Sequence, residues 1–413
     1  MKRYPYGLCV AALSLPFATS ATAANLEITH WWTSGGEAAA ASEVARLFEE
    51  RNTGHTWVDG ALAGGSGIAR PIIISRILGG DPMAATQLNH GRQAEELVEA
   101  GLMLDLTELA EAEGWRDIVQ PVSLLDACTV EGRVYCVPLN IHSWQWLWLS
   151  HQAFEDAGLE VPTNWNEFVA AAPALREAGK IPLAMGMQPW QANGTFSVMA
   201  SAIGGLDAWT RVYVDKDADT ARGPEFAAVF EAADTARQMS AGTNVQDWNQ
   251  ATNMVITGTA GGQVMGDWAQ GEFAMAGLVA GEDYTCLPGL GVNEIISTGG
   301  DAIYFPVNRD PAVQEGQFAL ASHLISPEVQ VAFNLRKGSL PVRGDIDMAA
   351  ANDCMQRGLE ILARGDTLPD LAMIITPDTQ AQIEDLMVEF WNDSSMTPEA
   401  AQERFADIIA SAD

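Results

Sequence analysis

Asn25–Phe48 constrains this chain more than any other stretch. Leu26, Ile28 and His30 alternate with Glu27 and Thr29, the two-residue period of a β-strand. Trp31-Trp32-Thr33-Ser34-Gly35-Gly36 then reads as a turn. Glu37 opens a helix whose apolar face carries Ala41, Val44, Ala45 and Phe48. The same strand–turn–helix order recurs. His55–Ala63 reads as a second strand, Gly64-Gly65-Ser66-Gly67 as a tight turn, and the segment with Ile68, Ile72 and Ile77 as a helix. Ala84–Leu88 is a third strand ending at Asn89-His90-Gly91, with a helix at Gln93–Ala100. Alternating β and α units predict a lobe built on a parallel sheet. In open α/β sheets, ligands bind beyond the carboxyl ends of the strands, which is where Trp31, Trp32 and Glu37 fall. Aromatic faces beside hydroxyl, amide and carboxylate groups suit a ligand with apolar C–H faces and a rim of hydroxyls. The glycine-rich turn lacks the Lys-Ser/Thr of a P-loop and the spacing of a dinucleotide fold, so it reads as a turn that lets a ligand approach.

Further along, Tyr135–Asn140, with Pro138, is a strand leaving that lobe, and Trp144–Leu149 is another. Trp144, Trp146 and Trp148 alternate along it, share one face and read as core. From Gln152 the pattern turns helical, with helices at Asn166–Gly179, Thr195–Gly204 and Glu225–Ala241. Later helices follow at Ala312–Leu324, Pro327–Asn334, Asp347–Arg364 and Thr379–Trp391, and a last one starts at Pro398. Gly262–Trp268 and Ala302–Pro306 are strands. This is more chain than one typical domain holds, and 48% hydrophobic residues supply a sizeable core. The expected organisation is two α/β lobes, residues 24–138 plus 303–346 and residues 142–299 plus 350–413. Crossovers near 138–142, 299–305 and 345–354 join them as a hinge, with the ligand cleft between.

Met1–Ala23 has the form of a secretory signal peptide: Lys2 and Arg3, the apolar run Leu8–Phe17, and Ala21-Thr22-Ala23 as cleavage site. Its apolar run is too short for a membrane anchor, and no later segment is long and apolar enough to span a bilayer. Loss of Lys2 and Arg3 takes the formal charge from -32 to -34. Such a surface disfavours nucleic acid and anionic membranes. Lysine is scarce: only Lys180, Lys216 and Lys337 remain. An acidic, lysine-poor surface suits a saline habitat. Four cysteines remain after cleavage, in a compartment that permits disulfides. Cys128 and Cys136 flank a hairpin with its turn at Glu131-Gly132 and can meet across it, which would leave Cys286 with Cys354. Four cysteines allow three connectivities. No CxxC spacing occurs, so no metal site and no cofactor is expected.

Several longer motifs carry a resemblance. His30-Trp31-Trp32-Thr33-Ser34-Gly35-Gly36-Glu37, Val137-Pro138-Leu139-Asn140-Ile141-His142 and Gln188-Pro189-Trp190-Gln191 resemble periplasmic sugar-binding proteins of ABC importers. So do Asp247-Trp248-Asn249, Met265-Gly266-Asp267-Trp268-Ala269 and Lys337-Gly338-Ser339-Leu340-Pro341-Val342-Arg343. The chain is most similar to the glucose/mannose-binding branch, across essentially all of its mature length. The resemblance implies a periplasmic-binding-protein-like fold closing on a carbohydrate, a permease and its ATPase as partners, and a monomer. It also implies the Cys286–Cys354 pairing. Carried over residue by residue, Trp32 and Trp268 become ring-stacking platforms with Trp31 in the wall. Glu37, Asp301 and Lys337 become hydrogen-bonding partners of sugar hydroxyls. Two positions depart from the branch. Asn89-His90 replaces a lysine after the third strand, and Met373 stands where a histidine lines the C-terminal wall. His90 and Met373 are therefore the residues expected to redirect specificity. Trp190 and Trp248 are candidates for the wall, and His142 for the hinge or a cap on the site.

Read without the resemblance, Lys337 already stands out, because its ammonium offers three donors in a chain with few lysines. Asp301 beside Gly299-Gly300 offers charge-assisted acceptance, and Glu37 sits at the positive end of a helix. Two other functions fit parts of this pattern. Paired carboxylates such as Glu37 and Asp301 could serve a glycoside-active enzyme, although nothing marks one of them as the acid. The same fold could also hold a non-sugar solute, such as a peptide or polyamine. A polyamine site wants carboxylates without a lysine, and Lys337 argues against it. The expected function is that of a non-enzymatic receptor for a glucose-like monosaccharide or small glycoside.

Overall fold

The computed structural model describes Met1 and residues 23–412. The signal-peptide segment otherwise lies outside the described residues. Nine strands form two sheets: β1 (Asn25–His30), β2 (Thr56–Ala61), β3 (Ala85–Asn89), β4 (Cys136–Pro138), β5 (Trp146–Ser150), β6 (Ile181–Leu183), β7 (Ala260–Val264), β8 (Tyr284–Pro288) and β9 (Asp301–Tyr304). The first sheet has the order β2-β1-β3-β9-β4 and the second β8-β5-β7-β6. Strands β1, β2 and β3 run parallel, as their alternation with helices requires, and β9 returns antiparallel between β3 and β4. Asp301 thereby pairs with Asn89 at the carboxyl end of β3. Pro138 is tolerated because β4 is an edge strand, where a missing N–H breaks no ladder. The chain has the two-lobed, periplasmic-binding-protein-like α/β fold expected of it, with the cleft between the sheets.

The helices that matter for the site are α1 (Gly35–Glu50), α2 (Ser66–Leu78), α3 (Trp165–Glu177), α4 (Pro189–Ala202), α5 (Pro224–Met239), α6 (Trp248–Ile256), α7 (Ala269–Met275), α8 (Pro311–Leu324), α9 (Pro327–Lys337), α10 (Asp353–Arg364), α11 (Pro377–Asn392) and α12 (Pro398–Ala410). Leu26, Ile28, Phe48, Val137, Ile303 and Phe333 belong to a core around the first sheet. Phe168, Phe196, Phe230, Phe390 and Phe405 belong to one beside the second. The first core continues past its own sheet to Trp146, Trp148 and Tyr284 on strands of the second.

Some boundaries differ from those read in the sequence. Helix α4 starts at Pro189, not Thr195, because proline suits the first helical turn. Helix α10 starts at Asp353 rather than Asp347, where the Asn352 side chain accepts from the Met355 N–H as an N-cap. Both expected cysteine pairs are found, with Cα–Cα separations of 5.1 Å for Cys128–Cys136 and 6.0 Å for Cys286–Cys354. The short hairpin between the first pair turns through Glu131 and Gly132, both at positive φ, which is the twist a two-residue hairpin loop needs. No helix among the described residues is long and apolar enough to cross a membrane.

Candidate ligand-binding site

A cavity of about 520 Å³ opens between the two sheets, within the range of pockets that enclose small-molecule ligands. Trp31, Ser34 and Glu37 reach it from the turn between β1 and α1, and Asn89 and Gln93 from beyond β3. Asp301 and Lys337 come from the start of β9 and the end of α9. The helices and connections around the second sheet contribute Trp144, Trp190, Trp248 and Trp268.

Asp301 is the hub of the first group. Its Oδ2 accepts from Lys337 Nζ at 2.5 Å and from Asn140 Nδ2 at 3.0 Å, and its Oδ1 from Gln87 Nε2 at 2.5 Å. The Asp301 N–H donates back to Asn140 Oδ1 at 2.7 Å. The Lys337 ammonium also lies 3.9 Å from Glu37 Oε1 and 5.8 Å above the Trp32 ring. Asp301 is 1% exposed and Lys337 2%, so the pair is out of water. Burial alone would raise the Asp301 carboxyl, but the Lys337 ammonium and His142 hold it well below the usual carboxylate range. Burial works against the Lys337 ammonium, and Asp301 and Glu37 overcome it and raise its pKa. For Glu37 burial wins over Lys337, and its carboxyl rises to about 7. The Ser34 hydroxyl donates to Glu37 Oε2 at 3.2 Å and also accepts from the Glu37 N–H as the N-cap of α1. Lys337 is the last residue of α9, where a cation meets the negative end of the helix, and Gly338 caps it in the left-handed region.

The aromatic group packs edge to face. Trp268 lies 4.9 Å from Trp144, 5.2 Å from His142, and 6.4 Å from both Trp190 and Trp248, centre to centre. Trp144 was expected in the core with Trp146 and Trp148. Strand β5 begins only at Trp146, so the alternation does not reach back to Trp144, whose ring turns into the cavity instead. It lies against α4 at Gly194, where a Cβ would come within 2.2 Å of the indole. Only glycine permits that approach.

The other expected site residues divide. Trp31, Glu37, His142, Trp190, Trp248, Trp268, Asp301 and Lys337 all line the cavity. His142 Nδ1 lies 3.5 Å from Asp301 Oδ2, so it joins the site as well as the crossing segment. Trp32 does not stand as a stacking platform. It is 2% exposed and packs against His30 and Phe333, because consecutive residues leaving a strand point to opposite sides. His90 is 1% exposed, with both ring nitrogens unpaired, and lies behind the lining; burial depresses its pKa to about 3. Met373 is not part of the lining, to which its neighbours Asp370, Leu371 and Ala372 belong. Its backbone packs against Gly91, next to His90, whereas Asn89, the other residue of that departure, lines the cavity. Sequence reading missed Gln87 and Asn140, the two amides that fix Asp301, and Asp267. The Asp267 carboxyl accepts from the Ser143 N–H at 2.9 Å, and its burial raises it well above the usual range. Gln87, a buried amide in β3, carries no sequence signal of its own. Asn140 and Asp267 did stand inside quoted motifs.

Comparison with known proteins agrees with this architecture. Residues 32–331 match the family model "Bacterial extracellular solute-binding protein". A "Probable sugar-binding periplasmic protein" of Rhizobium meliloti is 34% identical over 370 residues, covering 89% of this chain and 88% of the relative. The "Xylose/arabinose-binding protein XacG" of Haloferax volcanii is 25% identical over 371 residues, covering 86% and 78%. Among solved structures, a "Chitin oligosaccharide binding protein" superposes with a TM-score of 0.75 at 19% identity, over 94% of this chain and 98% of that one. The chain is a periplasmic member of the bacterial extracellular solute-binding protein family.

Proposed function

We propose that this protein captures a glucose-configured monosaccharide or small glycoside in the periplasm and delivers it to the permease of an ATP-driven importer. The observation that carries this reading is the meeting, in one cavity, of a tryptophan wall with the Asp301–Lys337–Glu37 cluster. Indole faces cover the apolar C–H face of a pyranose, while carboxylates accept from its hydroxyls and an ammonium donates to them. Trp268 and Trp31 act as the ring-facing aromatics, with Trp190 and Trp248 extending the wall. Trp32, His90 and Met373 act from behind the lining. The names of two relatives support the reading: one is a probable sugar-binding protein, and another, from Pyrococcus horikoshii, is an ABC transporter extracellular-binding protein. Closure of the two lobes about their crossing segments excludes water and gives the permease a shape that differs between loaded and empty receptor.

One observation favours an enzyme. The Glu37 carboxyl is pushed up to about 7 while Asp301 is held low, the divergence expected of an acid and a nucleophile in glycoside hydrolysis. Against it, both Asp301 oxygens already accept hydrogen bonds inside the protein, which leaves a poor nucleophile. We read the protein as non-enzymatic. A thermal-shift and tryptophan-fluorescence screen over glucose, galactose, mannose and gluco-disaccharides tests both readings. A saturable response that Trp268→Ala weakens strongly supports capture. Release of reducing sugar that disappears in Asp301→Asn supports hydrolysis instead, and silence across the whole screen removes the sugar.

A further inference from the structure

The cavity also reaches a polar corner that neither the tryptophan wall nor the Asp301 cluster uses. Gln145 and Ser297 both line it, and both are nearly out of water, at 3% and 2% exposed. Gln145 stands just before β5, and Ser297 ends the two-residue strand Ile296–Ser297, which pairs with Thr367–Leu368. The Ser297 N–H donates to Gln145 Oε1 at 2.8 Å. A backbone N–H can only donate, so the atom facing it must be the amide oxygen, and the amide cannot be turned over. The Ser143 hydroxyl donates to the same oxygen at 2.8 Å. Ser143 is itself clamped by Asp267: its N–H donates to Asp267 Oδ2 at 2.9 Å, and its carbonyl accepts from the Asp267 N–H at 2.9 Å. With its oxygen occupied twice, Gln145 keeps two Nε2 protons that meet no acceptor among the described residues. Ser297 Oγ is buried, and among the described residues it has no partner. Buried polar groups are normally satisfied. A locked donor and an unmet hydroxyl side by side therefore outline one more contact for whatever fills the cavity.

We infer that Gln145 and Ser297 are specificity-determining residues that together take one hydroxyl of the sugar, which accepts from Gln145 Nε2 and donates to Ser297 Oγ. A hydroxyl has the proton and the lone pairs to do both at once. A bare C–H offers neither. An anionic oxygen would accept from Gln145 but meet the carboxylate of Asp370, which lines the cavity two residues after Leu368, the strand partner of Ser297. An ammonium would donate to Ser297 but face the Gln145 protons. Ser143 and Asp267 do not line the cavity and are positioning residues, fixing the direction in which Gln145 donates. The inference rests on the sugar reading proposed above and adds a hydroxyl that the ligand must carry.

Calorimetric titration of the full mature chain with glucose, galactose, mannose and gluco-disaccharides tests it in wild type, Ser297→Ala, Gln145→Met and Ser143→Ala. The monodeoxy forms of any monosaccharide that binds complete the series. Ser297 Oγ makes no hydrogen bond inside the protein, so Ser297→Ala should leave the thermal midpoint of the unliganded protein nearly unchanged. Its sugar affinity should nevertheless fall about tenfold, and that of Gln145→Met at least as far. Removing one hydroxyl of the sugar should cost wild type about tenfold as well. That deoxy sugar should bind Gln145→Met about as tightly as its parent does, because the two changes delete the same contact. Ser143→Ala should shrink the same deoxy penalty, a readout that lost stability alone would not move. Ser297→Ala binding every sugar as wild type does overturns the inference. So do variants that weaken a sugar and all its deoxy forms by one common factor. The Ser297→Ala comparison stands even if Gln145→Met does not fold. Neither result touches the sugar reading, which falls only if no sugar binds wild type; the inference then falls with it.

Discussion

The wall supplied by the first sheet holds Asp301, Lys337 and Glu37 in one cluster, whereas the wall supplied by the second holds four tryptophan rings edge to face. The first is a fixed arrangement: each Asp301 oxygen is committed to a neighbour, and the amides of Gln87 and Asn140 decide where it points. The second relies on shape and apolar area, with Trp144 and Trp268 each fitted against a glycine, Gly194 and Gly266. The difference separates two kinds of dependence. Charges out of water need one another whether or not a ligand is present, but the half-buried indoles of Trp144 and Trp190 give up little when one is trimmed.

Lys337→Met should show the largest effect. It leaves Asp301 as a buried charge without its cation, and losses of about 3–5 kcal/mol in unfolding free energy are typical for such a break. Urea unfolding of the unliganded protein measures it, and a loss under about 1 kcal/mol would dissolve the contrast between the walls. Glu37→Gln comes next, read through pH. With the folded carboxyl near 7 and the unfolded one near 4.5, the folded state keeps a proton that the unfolded state releases between those values. Wild type should therefore lose up to about 3 kcal/mol relative to Glu37→Gln as pH rises through that window, and nothing further above it. Thermal midpoints of the two proteins from pH 4 to 8 give the difference directly; parallel profiles would mean that Glu37 is ordinary. Trp190→Leu should register least in stability, losing about 0.5–1.5 kcal/mol of ring–ring contact. Its sugar affinity should still fall about tenfold, and an unchanged affinity would take Trp190 out of the site.

The same division explains what was legible in the sequence. Alternation and helical spacing exposed β1, the turn and α1, since one buried face imposes a strict period. Trp31 and Glu37 could then be placed from their distance to the strand end. Trp32 could not, because adjacent residues in a turn diverge by a dihedral rotation that no pattern reports. Trp144 was misplaced by two residues of strand that do not form. Lys337 and Asp301 stood out by rarity and by glycine neighbours, but Gln87 and Asn140 did not: a neutral amide in a strand or just past one looks the same whether it orients a carboxylate or merely fills space. Gln145 and Ser297 were hidden for a related reason. Each is an ordinary residue where it stands, and only the fold brings the two together at the cavity.

One seam remains between the halves. At Gly36, the start of α1, a Cβ would lie 2.6 Å from the backbone of Gly271 in α7, and the Gly36 N–H donates to Glu272 Oε1 at 2.8 Å. Main chain rests on main chain, with no side chain between them to rotate or compress. Tolerances at this joint are therefore those of bond lengths rather than rotamers. The spacing of the two walls is gauged here by the stiffest material a protein has, and one added methyl group would shift the whole instrument out of true.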